Sequence, residues 1–211
     1  MLEGLLTVGE LGVAVAADLL DIDDVERLRV PGDLIDGVLL DGLTLRECLL
    51  DQPIGEELSV RSARMLQVRI DRPQIVALMG ANAQLSDAEL AGGRMASLDL
   101  HGARLMSVAL IGVRIGYVNL RGATLCDVVV EDCTIDTLDM PEATASRVRF
   151  DGSTVKDFDL RGARLSDVDL RGLQIGSISG VEALRGSWIS PLQLELLAPA
   201  LARAMGIAVE G

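Results

Sequence analysis

The sequence predicts an all-β solenoid, a narrow coil of short strands around one apolar axis, and three observations support this. Between Val30 and Ile175 every fifth residue is a central position i, and 27 of these 30 residues are Leu, Ile, Val, Met or Phe. The residue at i−2 is uncharged everywhere except at Asp33. Each five-residue repeat therefore has uncharged residues at i−2 and i, which lie on the same face of a strand. Nine glycines stand at i+2, where a corner needs backbone freedom.

A helix is excluded by the same spacing, because a five-residue step precesses around a helix and leaves no apolar stripe. The extra residue in each five makes a corner, and three-residue sides joined by corners close into a square coil. A second period of ten is present at i−2, where residues are mostly large when i is a multiple of ten and mostly small otherwise. Two opposite sides of the coil with large inward residues (the bulky walls) are therefore expected, separated by two sides with small inward residues (the lean walls).

The fives are similar to the unit Ala-(Asp/Asn)-Leu-x-x of the bacterial pentapeptide-repeat proteins. GARLSDVDLRG (162–172) and RGATLCDV (121–128) carry this resemblance, which extends over most of the chain. It implies a right-handed quadrilateral β-helix of pentapeptide repeats, with roughly twenty residues per coil. Some pentapeptide-repeat proteins dimerise through C-terminal helices, and some resemble B-form DNA and bind type II topoisomerases such as DNA gyrase.

Residues 1–27 precede the repeats and are predicted to form an N-terminal cap. Thr7-Val-Gly-Glu10 has the form of a capping box, so a short helix is expected at about 8–20. Such a cap would cover strand edges at the open end of the coil. The acidic run from Asp18 to Glu26 is interpreted as a solvated surface.

Residues 28–180 are predicted to form the pentapeptide-repeat β-helix, one rod of about seven coils because the repeat never changes phase. Its N-terminal coils are irregular, since Pro53 and Pro73 stand at i−2 and Gly55 and Gly80 at i. Distorted or unpaired sides are therefore expected near 51–56 and 71–80, with a thin place in the core. This irregularity is interpreted as repeat decay, and a ligand notch is the alternative.

Residues 181–211 are predicted to be a C-terminal helical cap and dimerisation segment. Ser190 is placed at the N-cap with Pro191 at N1, Gly206 at C′, and Pro199 is expected to kink or split the helix. Because the helix is apolar over most of its circumference, it must bury one face on the coil and another on a partner. The residues predicted to make cap or dimer contacts are Leu192, Leu194, Leu196, Leu197, Leu201 and Met205.

The net charge of −13 is concentrated near the N-terminus. Residues 1–60 hold 14 of the 32 acidic residues and 3 of the 19 basic ones. The remaining chain is nearly neutral, and direct nucleic-acid binding is not expected. No apolar run has membrane-spanning length, and MLEGLLTVGE lacks the basic region of a signal peptide. Cys48 and Cys133 fall at inward positions and Cys126 at an outward one, which predicts reduced thiols in a cytoplasm.

Candidate chemistry is sparse. His101 is the single histidine and falls at an outward position, so no Ser/His/Asp or Cys/His arrangement is predicted. No phosphate-binding loop is present either. Asp99, Asp139 and Asp159 share one side with Asn119 between them, but a metal site requires tighter convergence. The sequence therefore predicts neither an enzyme nor a bound cofactor or metal.

The leading hypothesis is a non-enzymatic scaffold or protein–protein interaction module in a bacterial cytoplasm, a homodimer through the C-terminal helix with an unknown protein partner. The alternative, which rests on the resemblance, is a DNA mimic that binds DNA gyrase and protects against quinolones or toxins. A mimic requires acids along the rod, whereas arginines such as Arg61, Arg69 and Arg149 interrupt any phosphate-like row. No membrane partner is expected.

Overall fold

The computed structural model describes residues 11–14, 24–32 and 39–208 and shows a β-solenoid of about eight turns with one C-terminal helix. Between residues 24 and 179 the parallel strands pair each residue with the one twenty positions later, as Leu85 with Leu105 and Leu105 with Leu125. Twenty residues are four fives, so each turn has four sides and the predicted fold class is confirmed. We number the sides 1 to 4 after the central residues of one turn, Leu105, Leu110, Ile115 and Leu120.

Two parallel sheets cover the sides of the described coil. Thirteen strands follow sides 1 and 2: β1 Gly12–Val13, β2 Asp24–Glu26, β3 Leu28–Pro31, β4 Thr44–Arg46, β5 Leu49–Asp51, β7 Arg64–Leu66, β8 Arg69–Asp71, β10 Gln84–Ala91, β12 Arg104–Ile111, β14 Thr124–Glu131, β16 Thr144–Asp151, β18 Arg164–Asp169 and β20 Ser187–Trp188. Seven strands begin on side 3: β6 Ile54–Ser59, β9 Gln74–Met79, β11 Arg94–Asp99, β13 Arg114–Asn119, β15 Thr134–Asp139, β17 Thr154–Asp159 and β19 Gln174–Ser179.

The corner between sides 1 and 2 lies within a continuous strand, and the residue at the corner has a left-handed backbone conformation. Asp87, Asp127 and Asp167 occupy it with φ between 51° and 57°. Aspartate tolerates this region better than most residues because its short side chain bonds locally. The corner after side 4 is a tighter turn, closed by a hydrogen bond of 3.1 Å from the amide of Ala103 to the carbonyl of Leu100.

The core is a single column of side chains from positions i and i−2. In the turn that begins at Ala123, Val128 and Leu138 stand on opposite sides 2 and 4, while Ala123 and Cys133 stand on sides 1 and 3. All four are at least 98% buried, so the predicted arrangement of two bulky and two lean walls is present. The column is filled by aliphatic groups and by the Phe150–Phe158 pair, whose ring centroids are 6.2 Å apart.

The two inward prolines do not interrupt the sheet, and the prediction of unpaired sides near 51–56 and 71–80 is wrong. β6 pairs with β9 along its length. At this corner the carbonyl makes the ladder bond: Pro53 accepts from the amide of Gln74 and Pro73 from that of Arg94, both at 2.8 Å. A proline is therefore tolerated here, because it contributes its carbonyl to the sheet and this bond does not require the N–H that proline lacks.

The thin place expected at Gly80 is largely filled by its neighbours. A Cβ on Gly80 would lie 2.8 Å from Leu100 Cδ2 and 3.4 Å from Val60 Cγ2. An apolar cavity of about 30 Å³ remains nearby, bounded in part by Val60, Leu78 and Leu100. This volume holds about one water molecule, so the ligand-notch alternative gains no support from it.

Parallel pairing begins before residue 28. β2 pairs with β4, and Val25 at its centre is 1% exposed, which adds a turn to the seven expected. Gly12 and Val13 form a strand with β3, not a helix. The rest of the predicted helix, apart from residues 11 and 14, and the Thr7–Glu10 capping box lie outside the described residues.

The C-terminal segment continues from the last turn through a 3-10 helix, Val181–Leu184, to α1, Pro191–Ala204. The predicted N-cap is confirmed, since the Ser190 hydroxyl accepts from the amide of Gln193 at 3.2 Å and the Gln193 side chain accepts from the amide of Ser190 at 2.7 Å. Gly206 follows the helix with φ of 73°, as expected of a C′ glycine. The helix continues through Pro199, so the predicted alternative of two separate helices is wrong.

Candidate interaction surfaces

One side of α1 closes the last turn of the coil through Gln193 and Leu197, which are 9% and 8% exposed. The Gln193 amide nitrogen donates to the carbonyls of Leu170 and Leu173, both at 2.7 Å. The Leu170 carbonyl also accepts from the amide of Leu173 at 2.9 Å, so Gln193 adds a second bond there and gives the Leu173 carbonyl a partner. Sequence reasoning missed this capping role, although the place of Gln193 at N3 of the capping box was a usable signal.

The helix leaves most of its apolar residues uncovered. Of the six predicted contact residues only Leu197 is buried and Leu201 is half-buried. The exposed fractions are 65% for Leu192, 51% for Leu194, 69% for Leu196 and 76% for Met205. A crevice of about 540 Å³ between the helix and the last turn is lined by Ile175, Leu192 and Leu196 among others. Clustered exposed apolar groups of this kind are typical of interaction surfaces.

The acidic row predicted on side 4 is present, but two of its three carboxylates are paired with arginines. Arg121 donates to Asp139 at 2.7 Å and Arg161 to Asp159 at 2.5 Å. Asp99 accepts from the Asn119 amide at 2.9 Å and lies 2.9 Å from the His101 ring. The row therefore presents alternating charges and not a continuous line of free carboxylates.

These pairs lower the pKa values of several carboxyl groups. The hydrogen bond from Arg161 lowers the pKa of Asp159, and Arg171 acts in the same way on Asp169. Arg147, which lies 2.6 Å from Asp127, lowers the pKa of that carboxyl to about 2. The aspartates are consequently charged in the folded coil at pH values where an unfolded aspartate begins to protonate.

We expect the coil to lose stability as the pH falls from about 4 to about 2. A carboxyl group whose pKa is depressed in the folded state contributes stability above its unfolded pKa, and this contribution disappears as pH falls through the folded pKa. The measurement is the apparent melting temperature between pH 7 and pH 2. The double variant Asp127→Asn/Arg147→Gln should show a shallower decrease in this window, and an unchanged slope would contradict the assignment of Asp127.

No group of three or more His, Cys, Asp or Glu side chains converges on a metal-sized position among the described residues. His101 is exposed and contacts Asp99. The Tyr117 hydroxyl donates to Asp139 at 2.8 Å, and partial burial together with this bond raises its pKa. Both contacts are hydrogen bonds between neighbouring side chains on the surface of the coil.

The cysteines are free thiols placed as predicted. Cys48 donates to the carbonyl of Arg46 at 3.1 Å, and Cys133 to that of Glu131 at 3.3 Å, and burial raises the pKa of both thiols. Cys126 is half-buried and lies 3.2 Å from an Asp127 oxygen. The buried thiols therefore serve as small core groups that satisfy carbonyls at the corners.

The five-residue period, the twenty-residue register and the four-sided turns define a pentapeptide-repeat β-solenoid. No protein-family model and no curated protein matches the chain. No helix in the described residues combines the length and apolarity needed to cross a membrane.

Solved structures similar to this chain include forms of QnrB1, a plasmid-mediated fluoroquinolone resistance protein. Full-length QnrB1 is 12% identical, with 75% of this chain and 99% of that chain covered and a TM-score of 0.28. Two trypsin-treated variants of QnrB1 are each 16% identical. They cover 89% and 95% of this chain and 90% and 98% of theirs, with TM-scores of 0.26 and 0.25. At these values the likeness carries no argument about what this chain binds.

Proposed function

We propose that this protein is a non-enzymatic scaffold in a bacterial cytoplasm, and that it pairs with a second copy of itself through α1. The observation that supports the proposal is the exposure of apolar side chains on a helix whose Gln193 and Leu197 already close the coil. A helix that has only to cap the coil does not need Leu192, Leu194 and Leu196 on its open surface.

A second copy is the partner that the chain itself supplies. In a twofold dimer the same patch is used on both subunits, so one apolar cluster is sufficient for both halves of the interface. Burial of Leu192, Leu196 and Met205 would contribute about 25 cal/mol for each Å² of apolar surface removed from water. The crevice beside Ile175 gives the facing side chains a place to pack.

The experiment is sedimentation of the full chain over a range of concentrations. We expect a dimer for the native sequence and a monomer for Leu192→Glu/Leu196→Glu, because a buried uncompensated carboxylate strongly disfavours the interface. The matched control is Gln84→Glu/Thr124→Glu, which adds the same two charges at exposed positions on side 1. A native chain that remains monomeric at all concentrations would exclude self-association.

The alternative of a DNA mimic has a separate test. Two of the three carboxylates in the side 4 row, Asp139 and Asp159, are paired with Arg121 and Arg161, so the observed charge pattern favours the scaffold. Inhibition of gyrase supercoiling by micromolar protein would favour the mimic instead. Purified protein without effect on gyrase, together with a dimer sensitive to the helix variants, would support the scaffold.

A further inference from the structure

Side 3 carries a groove of about 700 Å³ that runs along the rod between β6 and β15. Its floor is formed by small residues on the outward surface, including Ala96 and Gly116. A Cβ on Gly116 would lie 2.7 Å from the Ala96 carbonyl oxygen, so the floor at this point is backbone and cannot carry a side chain without local movement. The groove is therefore open to an extended segment of another molecule.

One edge of the groove carries two arginines without acidic partners. Arg94 on β11 is paired in register with Arg114 on β13, which places them one strand spacing apart, about 4.8 Å. Both are exposed, and neither makes an ion pair with any residue that the structure describes. Their neighbours in the same row, Gln74 and Thr134, are uncharged.

This arrangement is unfavourable for the isolated coil. Like charges directly opposite each other on neighbouring strands are destabilising. Other arginines of the described coil lie against carboxylates, as Arg147 against Asp127. Arg64 and Arg104 on side 1 have no ion pair with a described residue either, but Gln84 separates them in the ladder, so they are not directly opposite each other.

Glycine occupies the adjacent corner at positions 92 and 112. Asp132, one turn further along this corner, lines a pocket with the two arginines but forms an ion pair with neither, and Asp136 in the groove is paired with Lys156 at 2.5 Å.

The other end of the same groove is apolar. Ile54 and Val76 line it and are 56% and 47% exposed. From the row of Ile54 to that of Thr134 the coil rises four strand spacings, about 19 Å, which an extended segment of about six residues spans. Charge complementarity and the apolar end together define the chemistry of an occupant.

We propose that this groove binds an extended acidic segment of a protein partner, with an apolar side chain against Ile54 and Val76 and carboxylates on Arg94 and Arg114. The surface is distinct from α1, so this inference does not depend on dimer formation. A nucleic acid fits less well, because a sugar-phosphate backbone offers no apolar side chain to Ile54 and Val76. The net charge of −13 also repels a long polyanion more strongly than a short segment that carries two carboxylates. The forked donors of arginine suit paired carboxylates.

The test begins with selection of a random octapeptide display library on the native full-length protein. Selected peptides are then synthesised with a fluorescent label, and their dissociation constants are measured by anisotropy. We expect peptides with at least two acidic residues beside an apolar residue. Arg94→Gln/Arg114→Gln should weaken their binding at least tenfold, and binding should weaken as salt rises.

The matched control is Arg64→Gln/Arg104→Gln, which removes the same charge from exposed positions on side 1. It should change the dissociation constant less than threefold. Both variants should melt near the native temperature, which separates lost binding from lost folding. The proposal is overturned if no selected peptide depends on Arg94 and Arg114, if the control weakens binding equally, or if a single-stranded oligonucleotide or inorganic phosphate binds there in preference to the acidic peptides.

Discussion

Replacement of Phe150 by alanine should destabilise the coil by about 3–5 kcal/mol, because it removes a large buried ring from a column with nothing to take its place. Phe150 is 4% exposed and Phe158 is 3% exposed, and their rings meet across the coil from sides 2 and 4. Each wall of this column belongs to a parallel sheet, so the strands cannot move inward freely to fill the cavity. Phe158→Ala should have a similar effect.

The measurement is the apparent free energy of unfolding from urea titration. Phe150→Ala/Phe158→Ala should cost less than the sum of the single variants, because residues in contact are not additive and the two cavities merge. Met106→Ala is the control, since Met106 is 56% exposed on side 1 and its loss should change stability by no more than about 0.5 kcal/mol. Equal effects for Phe150→Ala and Met106→Ala would show that the core is not the close-packed column described above.

Gly93→Ala is expected to destabilise the coil by about 3 kcal/mol or more, although it adds one methyl group. Gly93 has φ of 75°, and a Cβ there would lie 2.3 Å from the Pro73 carbonyl oxygen. That oxygen accepts the ladder bond from Arg94, so it cannot move away without weakening the sheet. The cost therefore contains a backbone strain, a steric clash and a weakened hydrogen bond.

Gly122→Ala separates these contributions. Gly122 has φ of 63°, yet a Cβ there would meet nothing within 4 Å. Its replacement should cost about 1–2 kcal/mol, the usual penalty of a left-handed alanine. If Gly93→Ala and Gly122→Ala have the same apparent free energy of unfolding, the close approach of Gly93 to Pro73 has no energetic importance.

Much of the fold follows from local sequence. The five-residue spacing identifies the inward residues, and the ten-residue alternation at i−2 identifies the bulky walls seen at Val128 and Leu138. Ser190 and Gly206 likewise mark the ends of a helix by their own conformational preferences. These properties depend on neighbours within a few residues, so they can be predicted without knowledge of the closed coil.

The rest depends on contacts between residues about twenty positions apart, and only the tertiary structure decided it. The tolerance of Pro73 depends on which of its backbone groups faces the next turn, a property of the corner geometry. The role of Gln193 depends on where the helix places it above Leu170 and Leu173. Arg94 and Arg114 resemble many other arginines in the sequence. Only the register between β11 and β13 places their two like charges side by side, next to a groove lined by small residues.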